Sequence, residues 1–190
     1  MWAPVPTLAP MARPVPDRIR LAVDALDLAP DARVLEVGCG TGVAADLLCA
    51  LVPDGHVTAL DRSATAVGHA EKRLRRWLDA GVADVAERDL ARIHRDGRPY
   101  DVVLAVDVNV FWTAGAPADA AVARVRDLVA DDGVVHLWFE PPDGVDDRGI
   151  GERACAALDR GGFAATVERV DTRAHVVGRP RPVARAGGDM

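Results

Sequence analysis

Hydrophobic and polar positions switch between two periods along the chain, and each switch marks an element. Asp17 can cap a helix with Ile19, Ala22, Val23 and Leu26 on one face, stopping before Pro30. Arg33–Val37 is a short, mostly apolar run ending in glycines, as a buried strand does. Val43 to Val52 repeats with helical spacing, which predicts Val43, Leu47, Leu48 and Leu51 on the inner face. His56 to Leu60 is the next strand. A helix opening at Ser63 carries Val67, Ala70, Leu74 and Trp77 inward. Val82 to Ala86 and Tyr100 to Val106 read as strands. Pro117 suits the first turn of a helix striped by Val122, Val125 and Val129. Asp132-Gly133 then turns into a strand from Val134 to Phe139. A helix from about Asp147 to Arg160 stops at Gly161-Gly162. The last two strands are Phe163 to Val170 and Ala174 to Gly178.

Strand–helix alternation predicts a parallel sheet covered on both faces. Only Asp171, Thr172 and Arg173 separate the last two strands, too few for a parallel crossover. The expected fold is therefore α/β and doubly wound. It is a mostly parallel seven-stranded sheet with a terminal antiparallel hairpin and helices on both faces. Residues 17–178 should form one domain. Residues 1–16 hold Pro4, Pro6, Pro10, Pro14 and Pro16 and read as an extended arm. Residues 179–190, with two prolines and two glycines, read as a flexible tail.

Composition narrows the function. The 190 residues suit one domain. The formal charge of −6 does not suit a protein that must grip a polyanion, so no nucleic-acid partner is expected. Cys39, Cys49 and Cys155 form no CxxC pair, which fits a reducing cytoplasm. No run reaches the ~18 apolar residues of a membrane span, and no secretory signal is visible. The five histidines show no ligand spacing, so no metal is expected.

Val34-Leu-Glu-Val-Gly-Cys-Gly-Thr-Gly42 carries the chemistry. A strand runs into Gly38, Gly40 and Gly42, and a helix follows. Glycines there let the backbone turn tightly and approach a ligand. The third glycine comes one residue earlier than in the dinucleotide pattern G-x-G-x-x-G. Glu36 just before the turn would repel a pyrophosphate, whereas it suits an ammonium or a sulfonium.

On these residues the chain resembles the class I S-adenosylmethionine-dependent methyltransferases, whose first motif is an acid followed by G-x-G-x-G. The resemblance spans roughly residues 17–178 and implies S-adenosyl-L-methionine as cofactor. It assigns cofactor contacts to Glu36, Gly38, Cys39, Gly40 and Gly42 in the turn. Asp61 matches the acid that bonds the ribose hydroxyls, followed by Arg62. Asp89 and Leu90 match the pair that holds the adenine. Val106 ends the strand that faces cofactor and substrate.

The acceptor should lie beyond that strand, because open parallel sheets bind ligands past the carboxyl ends of their strands. Asp107 and Asn109 are the catalytic candidates. Asn109, Phe111, Trp112 and, after the fifth strand, Glu140 are the substrate candidates. The segment Asn109-Val-Phe-Trp112 lacks the prolines of the Asn/Asp-Pro-Pro-aromatic motif, which argues against methylation of DNA bases or glutamine. A compact acidic chain with no recognition domain points to a small-molecule acceptor and a monomer or homodimer. Two alternatives stay open: a non-catalytic module that binds S-adenosylmethionine, and a nicotinamide-dependent oxidoreductase. The arm, with Trp2, Leu8 and Met11, is expected to help close the acceptor pocket.

Overall fold

In the computed structural model, which describes residues 14–93, 97–113, 115–141 and 149–182, seven strands form one sheet. The strands are β1 (Arg33–Val37), β2 (His56–Asp61), β3 (Ala83–Glu87), β4 (Tyr100–Val106), β5 (Val129–Phe139), β6 (Phe163–Val170) and β7 (Arg173–Pro180). The helices are α1 (Asp17–Asp24), α2 (Val43–Leu51), α3 (Ala64–Asp79), α4 (Ala116–Leu128) and α5 (Ile150–Arg160). Short 3-10 turns lie at Leu90–Arg92 and Asn109–Phe111. The sheet order is β3-β2-β1-β4-β5-β7-β6. Pairs among β1 to β5 are parallel, and β7 runs antiparallel to both β5 and β6. The order reverses at β1, which puts the topological switch point between β1 and β4.

Each strand offers its alternate residues to opposite layers. Leu35, Val103 and Leu137 meet Val122, Val125, Leu128 and Leu158 of α4 and α5. Val34, Val57, Leu104 and Trp138 meet Val23, Leu48 and Leu74 of α1, α2 and α3. The expected architecture, including the terminal hairpin, is what the chain forms.

Several local expectations fail for identifiable reasons. The buried stripe of α2 is Ala44, Ala45, Leu48 and Cys49, while Leu51 is 47% exposed. Leu51 ends the helix and points past the edge of the core. Val129 belongs to β5 and pairs with Tyr100, so α4 stops at Leu128. Asp132-Gly133 lies inside β5, in an irregular stretch where the register jumps from Tyr100↔Val129 to Val102↔Val134. A Cβ on Gly133 would come within 2.9 Å of the Asp101 carbonyl oxygen, so the irregularity needs glycine. Arg179 and Pro180, expected in the tail, extend β7 against Ala164 and Phe163. Two exposed arginines of α3 bond to its neighbours, one to the turn after β1 and one to α2. Arg73 Nε donates to the Thr41 carbonyl, and Arg76 pairs with Asp46. Most of the arm and tail, and Asp147, fall outside the described residues.

Candidate functional site

A cavity of about 500 Å³ opens at the carboxyl ends of β1, β2 and β4, beside the switch point. That volume lies in the ~300–1,000 Å³ range of small-molecule sites. Gly38, Asp61, Arg62, Asp89, Leu90, Val106, Asp107 and Asn109, all expected on sequence grounds, line it. Val37, Leu60, Arg88, Val108, Val110 and the α4 residues Pro117, Ala120 and Ala121 complete the wall.

The turn after β1 is bound to the end of β2. Asp61 Oδ2 accepts from the Gly40 N–H at 2.9 Å, and Cys39 N–H donates to the Leu60 carbonyl at 2.8 Å. Asp61 Oδ1 accepts from Ser63 N–H at 2.9 Å, so one carboxylate fixes the turn and also the entry to α3. Gly38, Gly40 and Gly42 all have positive φ, the left-handed region that glycine enters without penalty. Their surroundings differ. A Cβ on Gly40 would meet nothing within 4 Å, while one on Gly42 would lie 3.1 Å from the Cα of Ala70 in α3. Gly40 thus borders open space, and Gly42 is a packing glycine between α2 and α3. On the next strand end, Asp89 Oδ1 caps the first 3-10 turn through the Ala91 N–H at 2.8 Å.

Seven expected residues do not line the cavity. Glu36 is 4% exposed and faces the α2 layer, where the Ala45 N–H bonds its carboxyl and Oε2 has no partner. Burial pushes it up to about 8, with Asp61 adding to the rise. Cys39 is buried, and its thiol is pushed up to about 12 by that burial together with Glu36 and Asp61. It is a small filler, inert as a nucleophile. Gly42 packs against α3, and Gly40 borders open space outside the cavity lining. Phe111 is fully buried among core residues, so it is not a substrate wall. Trp112 faces a separate cavity of about 350 Å³ between α4 and α5, with the Arg153 guanidinium 5.4 Å from its ring centre.

The seventh, Glu140, stands behind Asp107 in a cluster that no spacing along the chain signals. Asp107 has φ 57, rare for a residue with a Cβ. It is held there by its N–H on the Trp138 carbonyl at 2.8 Å and by Oδ1 accepting from Glu140 N–H at 2.8 Å. Arg18 of α1 reaches Asp107 Oδ2 at 3.1 Å and Glu140 Oε2 at 3.6 Å. Arg173 of β7 pairs with Glu140 Oε1. Burial raises the Asp107 carboxyl above the usual range, opposed by the Glu140 N–H and Arg18. Arg18 and Arg88 were both missed. Arg88 follows β3 in register with Arg62 after β2, a placement readable only once those strands pair.

Among the described residues, no group of three or more His, Cys, Asp or Glu is placed to hold a metal ion. No helix there is long and apolar enough to cross a membrane.

The family model of a methyltransferase domain matches residues 35–135. The chain is 37% identical over 102 residues to a protein-L-isoaspartate O-methyltransferase of Rhodopseudomonas palustris, covering 54% of this chain and 45% of that one. It is 31% identical over 144 residues to a protein of the same name from Pyrococcus horikoshii, covering 72% and 60%. The chain thus spans roughly half the length of these curated relatives. Among solved structures, a TehB-like SAM-dependent methyltransferase from Corynebacterium glutamicum superposes with a TM-score of 0.62 at 19% identity. That match covers 86% of this chain and 87% of the other, and it bears on the fold alone. A methyltransferase model over the segment from β1 to β5, with this strand order around it, ends the nicotinamide reading. The chain belongs to the class I S-adenosylmethionine-dependent methyltransferases.

Proposed function

We propose that the chain transfers a methyl group from S-adenosylmethionine to a nitrogen or oxygen of a small-molecule acceptor. The observation that carries this reading is the cavity itself. It joins the Gly38 turn, Asp61, the Asp89-Leu90 pair and the Asp107–Asn109 segment in one space of about 500 Å³.

The residues fit the cofactor. Asp61 keeps free lone pairs on a carboxylate fixed by two backbone donors, as bonding to ribose hydroxyls requires. Leu90, Ala120 and Ala121 give an apolar wall for a base, beside Asp89. The open space at Gly40 leaves room for the amino-acid end to approach the turn. When bound, S-adenosylmethionine supplies a methyl group activated on a sulfonium, open to in-line displacement.

The chain's own residues then bind, align and exclude water. Close alignment of the reacting atoms is worth ~7–11 kcal/mol of barrier. Asn109 orients the acceptor through its amide. Asp107, raised by burial, takes a proton from an acceptor that arrives protonated. An amine that arrives uncharged, or an oxygen that arrives ionised, needs no base before it attacks.

A protein-L-isoaspartate acceptor is the second reading, favoured by the names of the relatives. Incubating the protein with methyl-labelled cofactor tests the two. One arm holds pooled amines, phenols and acids, and the other an isoaspartyl peptide. Label in a pooled compound supports the first reading. Label only in the peptide replaces it with the second.

A further inference from the structure

Asp107 stands in the cavity wall in a backbone state that needs support. Its φ of 57 lies in the left-handed region, which a residue with a Cβ occupies only where its surroundings hold it. The bend matters to the site. The next residue, Val108, closes over the glycine turn, so that a Cβ on Gly38 would come within 2.6 Å of Val108 Cγ2. Asn109 follows, and all three residues line the cavity. The conformation of Asp107 therefore decides where this wall stands over the turn.

Two of its anchors are backbone groups. Asp107 N–H donates to the Trp138 carbonyl, and Oδ1 accepts from Glu140 N–H, each at 2.8 Å. A third is a side chain, Arg18 Nε, 3.1 Å from Oδ2. The charges around it lean negative. Three carboxylates, Asp107, Glu140 and Asp171, share two guanidiniums, Arg18 and Arg173. Arg173 pairs with Glu140 and Asp171, and Arg18 is the cation that bridges Asp107 to Glu140. Of these five residues, Asp107 lines the cavity and the others stand behind it. Without Arg18, Asp107 and Glu140 would meet as like charges, still tied by the Glu140 N–H. Such a pair takes up a proton or moves apart. Either outcome removes a charged carboxylate from the wall, and a proton acceptor with it. Arg18, Glu140, Asp171 and Arg173 all lie outside residues 35–135, the part that the methyltransferase model matches. The support comes from the flanking parts of this chain.

We infer that Arg18 is a positioning residue for the reaction: its bridge from Asp107 to Glu140 keeps the Asp107 carboxylate charged and turned to the cavity. This rests on the reading of Asp107 as the base of a methyltransferase, and the two can fail separately.

The test is a carboxyl-carbon NMR titration of the full chain saturated with S-adenosylhomocysteine. Loss of one signal in Asp107→Asn assigns the Asp107 carboxyl. In Arg18→Met, which keeps the apolar stem, its midpoint should move to higher pH. Arg18→Lys, which keeps the charge, should bring it part of the way back. Glu140→Gln removes the like charge and keeps the backbone donor, so there the midpoint should move to lower pH. Arg20→Met removes a cation that pairs with Asp17 on the same helix and should leave the midpoint in place. Amide signals of α3, far from the cluster, should be the same in every variant, which shows that each one folds. A role for Arg18 in packing α1 alone would lower the melting temperature and leave the midpoint where it was. The inference is overturned if the midpoint is unchanged in Arg18→Met, or if Arg18→Met and Glu140→Gln move it the same way. Failure of the wild-type protein to bind S-adenosylhomocysteine overturns the methyltransferase reading, and this role with it, whatever the midpoints.

Discussion

Replacing Glu36 by Gln should make the protein more stable, and increasingly so as pH rises. Glu36 is 4% exposed, and its Oε2 lies in the α2 layer without a partner. Burial raises its carboxyl from the usual 4.5 to about 8. Asp61 adds to the rise, and the Ala45 N–H works against it. Between those two values the unfolded chain has lost the proton while the folded chain keeps it. The folded state binds more protons there, so stability falls as pH rises through the window and levels off above about 8. At ~1.4 kcal/mol per unit, the full span is worth roughly 4–5 kcal/mol. Gln keeps the shape and the acceptor for the Ala45 N–H, and it never ionises. The advantage of Glu36→Gln over the native chain should therefore grow by ~1.4 kcal/mol per unit from about pH 5 to 8, then stop growing. Urea unfolding of both proteins at unit steps between about pH 5 and 9 measures it, since other titrating groups cancel in the difference. Parallel stability curves across the range would refute the reasoning. Glu36 would then ionise freely in the folded protein.

Asp61→Ala should weaken binding of S-adenosylmethionine by ~1.5–3 kcal/mol, the range for a hydrogen bond to a charged group. Unchanged affinity by calorimetry would leave Asp61 as a brace for Gly40 and Ser63 alone. Gly40→Ala meets open space and should cost only the ~1–2 kcal/mol of a left-handed residue with a Cβ. Gly42→Ala adds a clash with Ala70 to the same cost and should lower stability by a further ~1–3 kcal/mol. Thermal melting orders the two variants, and equal losses would contradict the assigned division between ligand-side and packing glycines.

Much of the fold is legible because hydrophobic period reports secondary structure directly. The short gap between β6 and β7 also leaves only one hand of pairing. The motif order Gly38, Asp61, Asp89, Val106 is legible for the same reason, since each residue ends a strand and strand ends converge. Legibility stops where the face of an element decides. Glu36 and Val37 are neighbours in β1, yet Val37 lines the cavity and Glu36 points into the opposite layer. Phe111 and Trp112 look alike as substrate walls, but a single 3-10 turn sends one into the core and the other to the α4–α5 groove. Contacts across the sheet are not legible at all. Arg18 meets Asp107 from another element, 89 residues away. His136 and His175, without any ligand spacing in the chain, come within 3.0 Å through the β5–β7 pairing. His175 in turn bonds Glu168 at 2.9 Å.

The most direct test of the central claim is a calorimetric titration of the folded protein with S-adenosylmethionine and, separately, S-adenosylhomocysteine. The account predicts saturable one-to-one binding of both in the micromolar range, weakened in Asp61→Ala and absent for NAD. No heat from either ligand, with the protein shown to be folded by its melting transition, would contradict it.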